Sequence, residues 1–207
     1  FLRDLLLQDM DDPNSSHDFG NDLIPDIVKN GKAMAHRFDD SCVRAPGAPA
    51  YWKDVGTVDA FWEANIDLTD FTPELDLWDR HWPIWTYSES VPPAKFIHDE
   101  GDRRGMAISS MVSGGCIVSG TEVRNSILFT EVHTKSWAVL DHTVALPYVT
   151  VNRNARLRKA VVDRGVTIPD GLVVGEDPIQ DSKFFRVTEK GTTLITQDMV
   201  NKWQAAQ

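Results

Sequence analysis

The rhythm of apolar residues along this 207-residue chain changes twice. Near the start, Leu2, Leu5, Leu6 and Met10 fall at helical spacing, and the polar run Asp11 to Ser16 ends the helix they predict. Asp22 to Lys29 predicts a second short helix, and Val58, Phe61, Trp62 and Ile66 a third, which Thr57 is placed to cap. Residues 1 to about 70 therefore read as mixed α/β, with a short strand expected to end at Asp54. The next segment, up to residue 97, is rich in Trp and Pro: Trp78, Trp82, Trp85, Pro83, Pro92 and Pro93. Flexible linkers are poor in aromatics, so this reads as an ordered connection, with tryptophans expected to be buried where two domains pack.

Beyond it the apolar period becomes six. Met111, Ile117 and Val123 are spaced by six, as are Val132, Ala138 and Val144; Val149, Ala155 and Val161; and Val162, Ile168 and Val174, with slips of register between these runs. Such a period predicts a hexapeptide β-helix, in which each apolar side chain points into a prism-shaped core. Antiparallel strands would show period two interrupted by turns.

Charge and cysteine content narrow the function classes. Asp and Glu number 31 against 21 Lys and Arg, a formal net charge of −10. That argues against nucleic acid and anionic membranes as partners, since both need a positive field. No stretch approaches the ~20 apolar residues of a membrane span. Two cysteines, Cys42 and Cys116, make no disulfide framework and favour a reducing cytoplasm. The chain opens at Phe1 inside an apolar-periodic segment without a secretory leader pattern, which predicts a fragment with its natural N-terminus upstream.

Two motifs could carry chemistry. In Ser15-Ser16-His17-Asp18-Phe19-Gly20-Asn21-Asp22, a His beside an Asp suggests a dyad, but adjacent residues rarely aim at one atom and no third partner is identifiable. A polar loop capping the following helix is the plainer reading. In Tyr51-Trp52-Lys53-Asp54-Val55-Gly56-Thr57, an Asp precedes a Gly turn and a helix, where α/β sheets place ligand groups. An aspartate at the reference pKa of ~3.9 is almost wholly ionised at pH 7 and suits a metal better than proton transfer. A carboxylate bonded only to local amides is the alternative.

These motifs, together with WPIWTYSESVPPAKF, VSGGCIVSG, LPYVTV, VVDRGVTIP and GLVVGE in this order, resemble bacterial-type ADP-glucose pyrophosphorylases (glucose-1-phosphate adenylyltransferases) over essentially the whole chain. The resemblance implies the C-terminal part of a Rossmann-like nucleotidyltransferase domain over 1–75 and a connector over 76–97. A left-handed β-helix of hexapeptide repeats, regulatory and oligomeric, would fill 98–207. It implies the reaction of ATP and glucose 1-phosphate to ADP-glucose and pyrophosphate for glycogen synthesis. Asp54 matches a Mg²⁺-binding, catalytic aspartate; Asp18, Phe19 and Trp52 fall in the glucose 1-phosphate pocket. The Gly-rich nucleotide loop, the second metal aspartate and the sugar-phosphate lysine of the family have no counterpart in these residues. The chain is thus expected to be inactive without the N-terminal half.

The resemblance also implies control by anionic glycolytic effectors and a homotetramer. Gly114, Arg164 and Lys202 match regulatory positions. From the residues alone, Gly114 reads as a tight turn requiring positive φ. Arg164 belongs to a basic run with Arg153, Arg156, Arg158 and Lys159, which a solvated face of the β-helix would equally explain. Relatives that respond to fructose 1,6-bisphosphate carry two arginines where Gln197 and Asn201 stand here. Each charged hydrogen bond is worth ~1.5–3 kcal/mol, so a smaller activator, fructose 6-phosphate or pyruvate, is expected. Two other classes remain: a hexapeptide-repeat acyltransferase using His133 or His142, or a non-catalytic regulatory and oligomerisation module.

Overall fold

The computed structural model describes residues 1–31, 33–43, 47 and 49–207, which form two compact units, Phe1–Ala50 and Tyr51–Gln207. The first holds α1 (Leu2–Met10), a π-helical turn (Phe19–Leu23), α2 (Ile24–Lys29) and a 3₁₀ turn (Phe38–Asp40). The expected helices form, with α1 closing at Asp11, the first residue of the polar run. Leu23 is the one buried hydrophobic residue among those described in this unit, whereas Phe1, Leu2, Leu6, Leu7, Met10, Ile24 and Val28 are exposed.

In the second unit, Thr57 Oγ1 accepts the Ala60 N–H at 3.1 Å and caps α3 (Val58–Asp67), as the spacing predicts. The short strand expected to end at Asp54 is not formed. No described strand precedes Lys95, and a strand exists only where a neighbour takes up its ladder hydrogen bonds. Trp78 and Trp85, expected to be buried, stand 69% and 91% exposed, while Trp82 is half-buried. Residues 68–94 form no helix or strand, so the described chain turns no apolar face onto those two indoles.

From Lys95 the chain winds into a parallel β-helix. Ile117 pairs with His133, His133 with Thr150, and Thr150 with Thr167, so each coil advances 16 or 17 residues. Three faces each contribute a stack of inward side chains: Val118, Thr134, Val151 and Ile168; Val123, Leu140, Leu157 and Val174; Leu128, Ala145, Val162 and Ile195. All twelve are buried. Leu140 and Ala145, on successive faces, are five residues apart rather than six, and the long strands Val139–Ala145 and Arg156–Val162 bend around this corner. That missing residue is the register slip visible in the sequence. It also explains why Val144 and Val161, which continue a strict period of six, point away from the prism.

Val144 and Val161 are nevertheless buried, as is Ile127 beside them, because α3 lies against the two long strands on this side. In the last coil the chain leaves the helix after Val174 and rejoins it at Thr193. The excursion carries α4 (Pro178–Asp181) and a strand, Arg186–Val187, antiparallel to Thr193–Ile195. Finally α5 (Gln197–Ala205) places Val200 in the core with Met199 and Trp203 alongside. An amphipathic element of this kind closes the open end of a solenoid. Among the described residues, no helix is long and apolar enough to cross a membrane, and both cysteines are free.

Candidate functional site

In the first unit, Asp18 sits where the polar loop meets the π-helical turn. Its Oδ1 accepts the N–H groups of Gly20 and Asn21, each at 2.8 Å. The expected capping role is therefore real, and it leaves Oδ2 open to a ligand. His17 turns away from Asp18: its Nδ1 lies 3.0 Å from Asp9 Oδ2, and Asp9 Oδ1 accepts the Ser15 hydroxyl. The Ser15 and His17 hydrogen bonds hold Asp9 below the usual carboxylate range. Asp22 accepts the Ser16 hydroxyl and the Asp18 N–H, which hold it low as well. The loop is thus knitted by two ionised aspartates, and the His17–Asp18 dyad does not exist. Phe19 is 50% exposed. A cavity of 430 Å³ in this unit is lined by Asp9, Asp12, Asp22 and Asp26 but not by Asp18 or Phe19. Four carboxylates make it hostile to phosphate.

In the second unit, Trp52 is 73% exposed and Asp54 is exposed two residues later. Asp54 Oδ1 accepts the Gly56 N–H at 2.9 Å, so the local-amide bond expected as the alternative is present. It occupies one oxygen only. Mg²⁺ commonly takes one or two carboxylates, several waters and the substrate phosphates, and Asp54 Oδ2 suits one such ligand. Among the described residues, no group of three or more His, Cys, Asp or Glu converges on a metal position.

The regulatory candidates lie on the β-helix. Arg164 precedes a first-face strand, with its guanidinium carbon 4.9 Å from the centre of the Tyr148 ring. The Tyr148 hydroxyl donates to Glu89 Oε1 at 2.6 Å, and that bond pushes the phenol pKa up. Glu89 belongs to the connector, and no periodicity announces a contact spanning 59 residues. Gly114 is not the positive-φ turn that its neighbourhood suggested: Gly115 is, at φ +75°. Gly114 instead admits the connector, since a Cβ there would stand 2.8 Å from Val91 Cγ2. The Gly115 N–H donates to the Pro92 carbonyl at 2.6 Å. Gly114 thus borders residues 91–92 directly, and Arg164 reaches Glu89 through Tyr148.

The basic run does not gather as a whole: Arg156 and Arg158 share one pocket, and the others stand elsewhere. Arg156 pairs with Glu176 and Arg158 with Asp141, Lys159 lies over Trp62, and Arg153 lines a separate cavity with Lys135, Asn152 and Asp170. Twelve residues along a 17-residue coil carry Arg153, the Arg156–Arg158 pair and Arg164 to different places. Lys202 is exposed on α5. Gln197 and Asn201 bond to each other, and Gln197 Oε1 accepts the Thr167 N–H. His133 and His142 sit on the coils, outside the 175–192 excursion.

Comparison with known proteins fits this architecture. A nucleotidyl transferase family model matches residues 2–70, and a GlmU-like C-terminal hexapeptide model matches residues 92–195. A glucose-1-phosphate adenylyltransferase of Jannaschia sp. (strain CCS1) is 77% identical over all of this chain and 50% of its own length. Proteins of the same name from Cereibacter sphaeroides and Bradyrhizobium diazoefficiens are 67% and 62% identical over 97% and 98% of the chain, each covered to 48%. The chain thus spans about half the length of the curated relatives it matches. The chain belongs to the GlmU-like C-terminal hexapeptide family, and its β-helix is joined to a segment that matches the nucleotidyl transferase family model.

Proposed function

We propose that this chain is the C-terminal part of a glucose-1-phosphate adenylyltransferase that joins ATP and glucose 1-phosphate into ADP-glucose and pyrophosphate for glycogen synthesis. The observation that carries the reading is the 77% identity, over the whole chain, to a protein of that name. The attacking phosphate has a second pKa near ~6 and needs no protein base at pH 7. Catalysis is then positioning and neutralisation of charge. Asp54 offers a carboxylate oxygen to Mg²⁺, which when bound supplies positive charge against the phosphates. Asp18 accepts hydrogen bonds from sugar hydroxyls through Oδ2, and Phe19 and Trp52 present aromatic faces to the sugar.

The exposed apolar faces of α1 and α2 support dependence on a further half of the protein. Leu23, the one buried hydrophobic among the described residues of this unit, does not offset the ~1–2 kcal/mol of backbone entropy lost per ordered residue. We assign 1–75 to the catalytic domain, 76–97 to the connector and 98–207 to the regulatory β-helix of a cytoplasmic homotetramer. Gly114, Arg164 and Lys202 serve anionic effectors. The mutual hydrogen bond of Gln197 and Asn201 in place of two cations favours a smaller or less charged activator, such as fructose 6-phosphate or pyruvate, over fructose 1,6-bisphosphate. Joined to the remaining half that its relatives carry, the chain should release pyrophosphate from ATP and glucose 1-phosphate. Turnover by the chain alone, or none by the joined protein, refutes the assignment.

A further inference from the structure

The loop that carries Asp54 is fastened to the β-helix through α3. Only Val55 and Gly56 separate Asp54 from Thr57, and a local hydrogen bond closes this link at each end. Gly56 N–H donates to Asp54 Oδ1, and Thr57 caps the helix through the Ala60 N–H while its carbonyl accepts the Phe61 N–H. The helix in turn is gripped at two buried or half-buried points. Trp62 Nε1 donates to the His142 carbonyl at 2.7 Å, a span of 80 residues. His142 sits at a coil corner with φ +49°, where the backbone leaves the ladder and turns its carbonyl outward. Lys159 Nζ lies 5.2 Å from the centre of the same indole.

The second grip is Asp59, whose Oδ1 accepts the Thr188 hydroxyl at 2.7 Å from the 175–192 excursion. Burial pushes the Asp59 carboxyl up. The hydroxyls of Thr192 and Thr188, with the charges of Lys190 and Lys159, outweigh it and leave the group below its ordinary value. A third contact, Lys190 with Glu63 at 2.8 Å, is exposed on both sides. Solvated pairs of this kind contribute little.

We infer that Trp62 and Asp59 are positioning residues for the metal-binding loop: the β-helix, through α3, sets where the Asp54 carboxylate stands. This rests on Asp54 being the metal-binding carboxylate proposed above. Neither side chain touches the reacting atoms. They act because a ligand on a short loop is only as well placed as the element that anchors it, and small misplacements cost rate steeply. The route also bypasses the connector, so the fold of the regulatory domain bears on the metal loop directly.

The test uses the full-length protein, with initial rates measured across a Mg²⁺ titration at saturating ATP and glucose 1-phosphate. Trp62→Phe keeps an aromatic ring and removes the N–H donor; Thr188→Val removes the donor to Asp59. Each should raise the Mg²⁺ concentration for half-maximal rate by about fivefold, the worth of one hydrogen bond. The rate at saturating Mg²⁺ and the KM for glucose 1-phosphate should stay within about twofold, because the catalytic groups themselves are intact. Glu63→Gln, breaking only the solvated pair, should leave the Mg²⁺ curve in place. A merely structural role would lower the maximal rate or the melting temperature without moving the Mg²⁺ midpoint, and that result in both variants overturns the inference. Asp54→Asn distinguishes the underlying reading: if that variant keeps wild-type turnover, the metal assignment fails, whatever the helix variants do.

Discussion

Thr134 occupies a place in the core stack where its neighbours one coil above and below are Val118 and Val151. It is buried, and its Oγ1 has no hydrogen-bond partner. Two other buried hydroxyls in the prism are satisfied: Thr121 Oγ1 donates to the Lys135 carbonyl at 2.8 Å, and Thr143 Oγ1 to the Leu157 carbonyl at 3.2 Å. Thr121 sits just before a strand and Thr143 just past the corner within the long strand Val139–Ala145, each within reach of the next coil's carbonyls. Thr134 lies mid-face, where ladder bonds already occupy the carbonyls and its hydroxyl meets aliphatic carbon. An orphaned buried hydroxyl costs about 1–3 kcal/mol in proteins. Valine has nearly the same shape, and the stack already accepts it in the adjoining coils. Thr134→Val should therefore stabilise the β-helix by about 2 kcal/mol. At roughly 2–4 °C per kcal/mol for a chain of this size, the melting temperature rises by about 4–8 °C, followed by far-UV circular dichroism. Thr121→Val, which breaks a made bond, should lower stability by about 1 kcal/mol. The opposite signs make the comparison decisive. If Thr134→Val is neutral or destabilising while Thr121→Val behaves as stated, the hydroxyl at 134 has a partner and the argument is refuted.

Asp181 is 5% exposed and accepts the Gly175 N–H at 2.7 Å; burial first, then the nearby charges of Asp177 and Glu176, push its pKa up. The folded state therefore holds its proton to higher pH than the unfolded chain, and this contribution to stability is lost as pH rises from 3.8 through the folded value. Asp181→Asn keeps an acceptor and removes the charge, so it should raise the melting temperature at pH 7, with the gain fading towards pH 4. Gly175→Ala should cost several kcal/mol in chemical denaturation, because its φ is +90° and a Cβ would stand 1.9 Å from the Arg158 carbonyl oxygen. Gly114→Ala and Gly115→Ala should differ. At 114 only the Val91 side chain must yield, whereas at 115 the positive φ adds about 1 kcal/mol, measurable as a lower denaturation midpoint.

Local chemistry determined much of this protein from sequence alone. The spacing of Leu2, Leu5, Leu6 and Met10 and the cap at Thr57 fixed two helices, because a helix is built from contacts three and four residues apart. The period of six fixed the β-helix, because a coil repeats one environment at a fixed chain distance. Asp18 was legible as a cap for the same local reason. What the sequence left undecided involves groups far apart in the chain. Tyr148 meets Glu89, Trp62 meets the His142 carbonyl, and Arg153, Arg158 and Arg164 take separate partners around one coil. Such contacts follow from the stacking of coils and the docking of α3, whose outcome depends on the sum of many weak packing terms and leaves no mark on any short window of sequence. Tertiary structure alone therefore decided that Gly114 borders the connector, that Trp78 and Trp85 stand exposed, and that Asp54 is anchored through a helix to the β-helix.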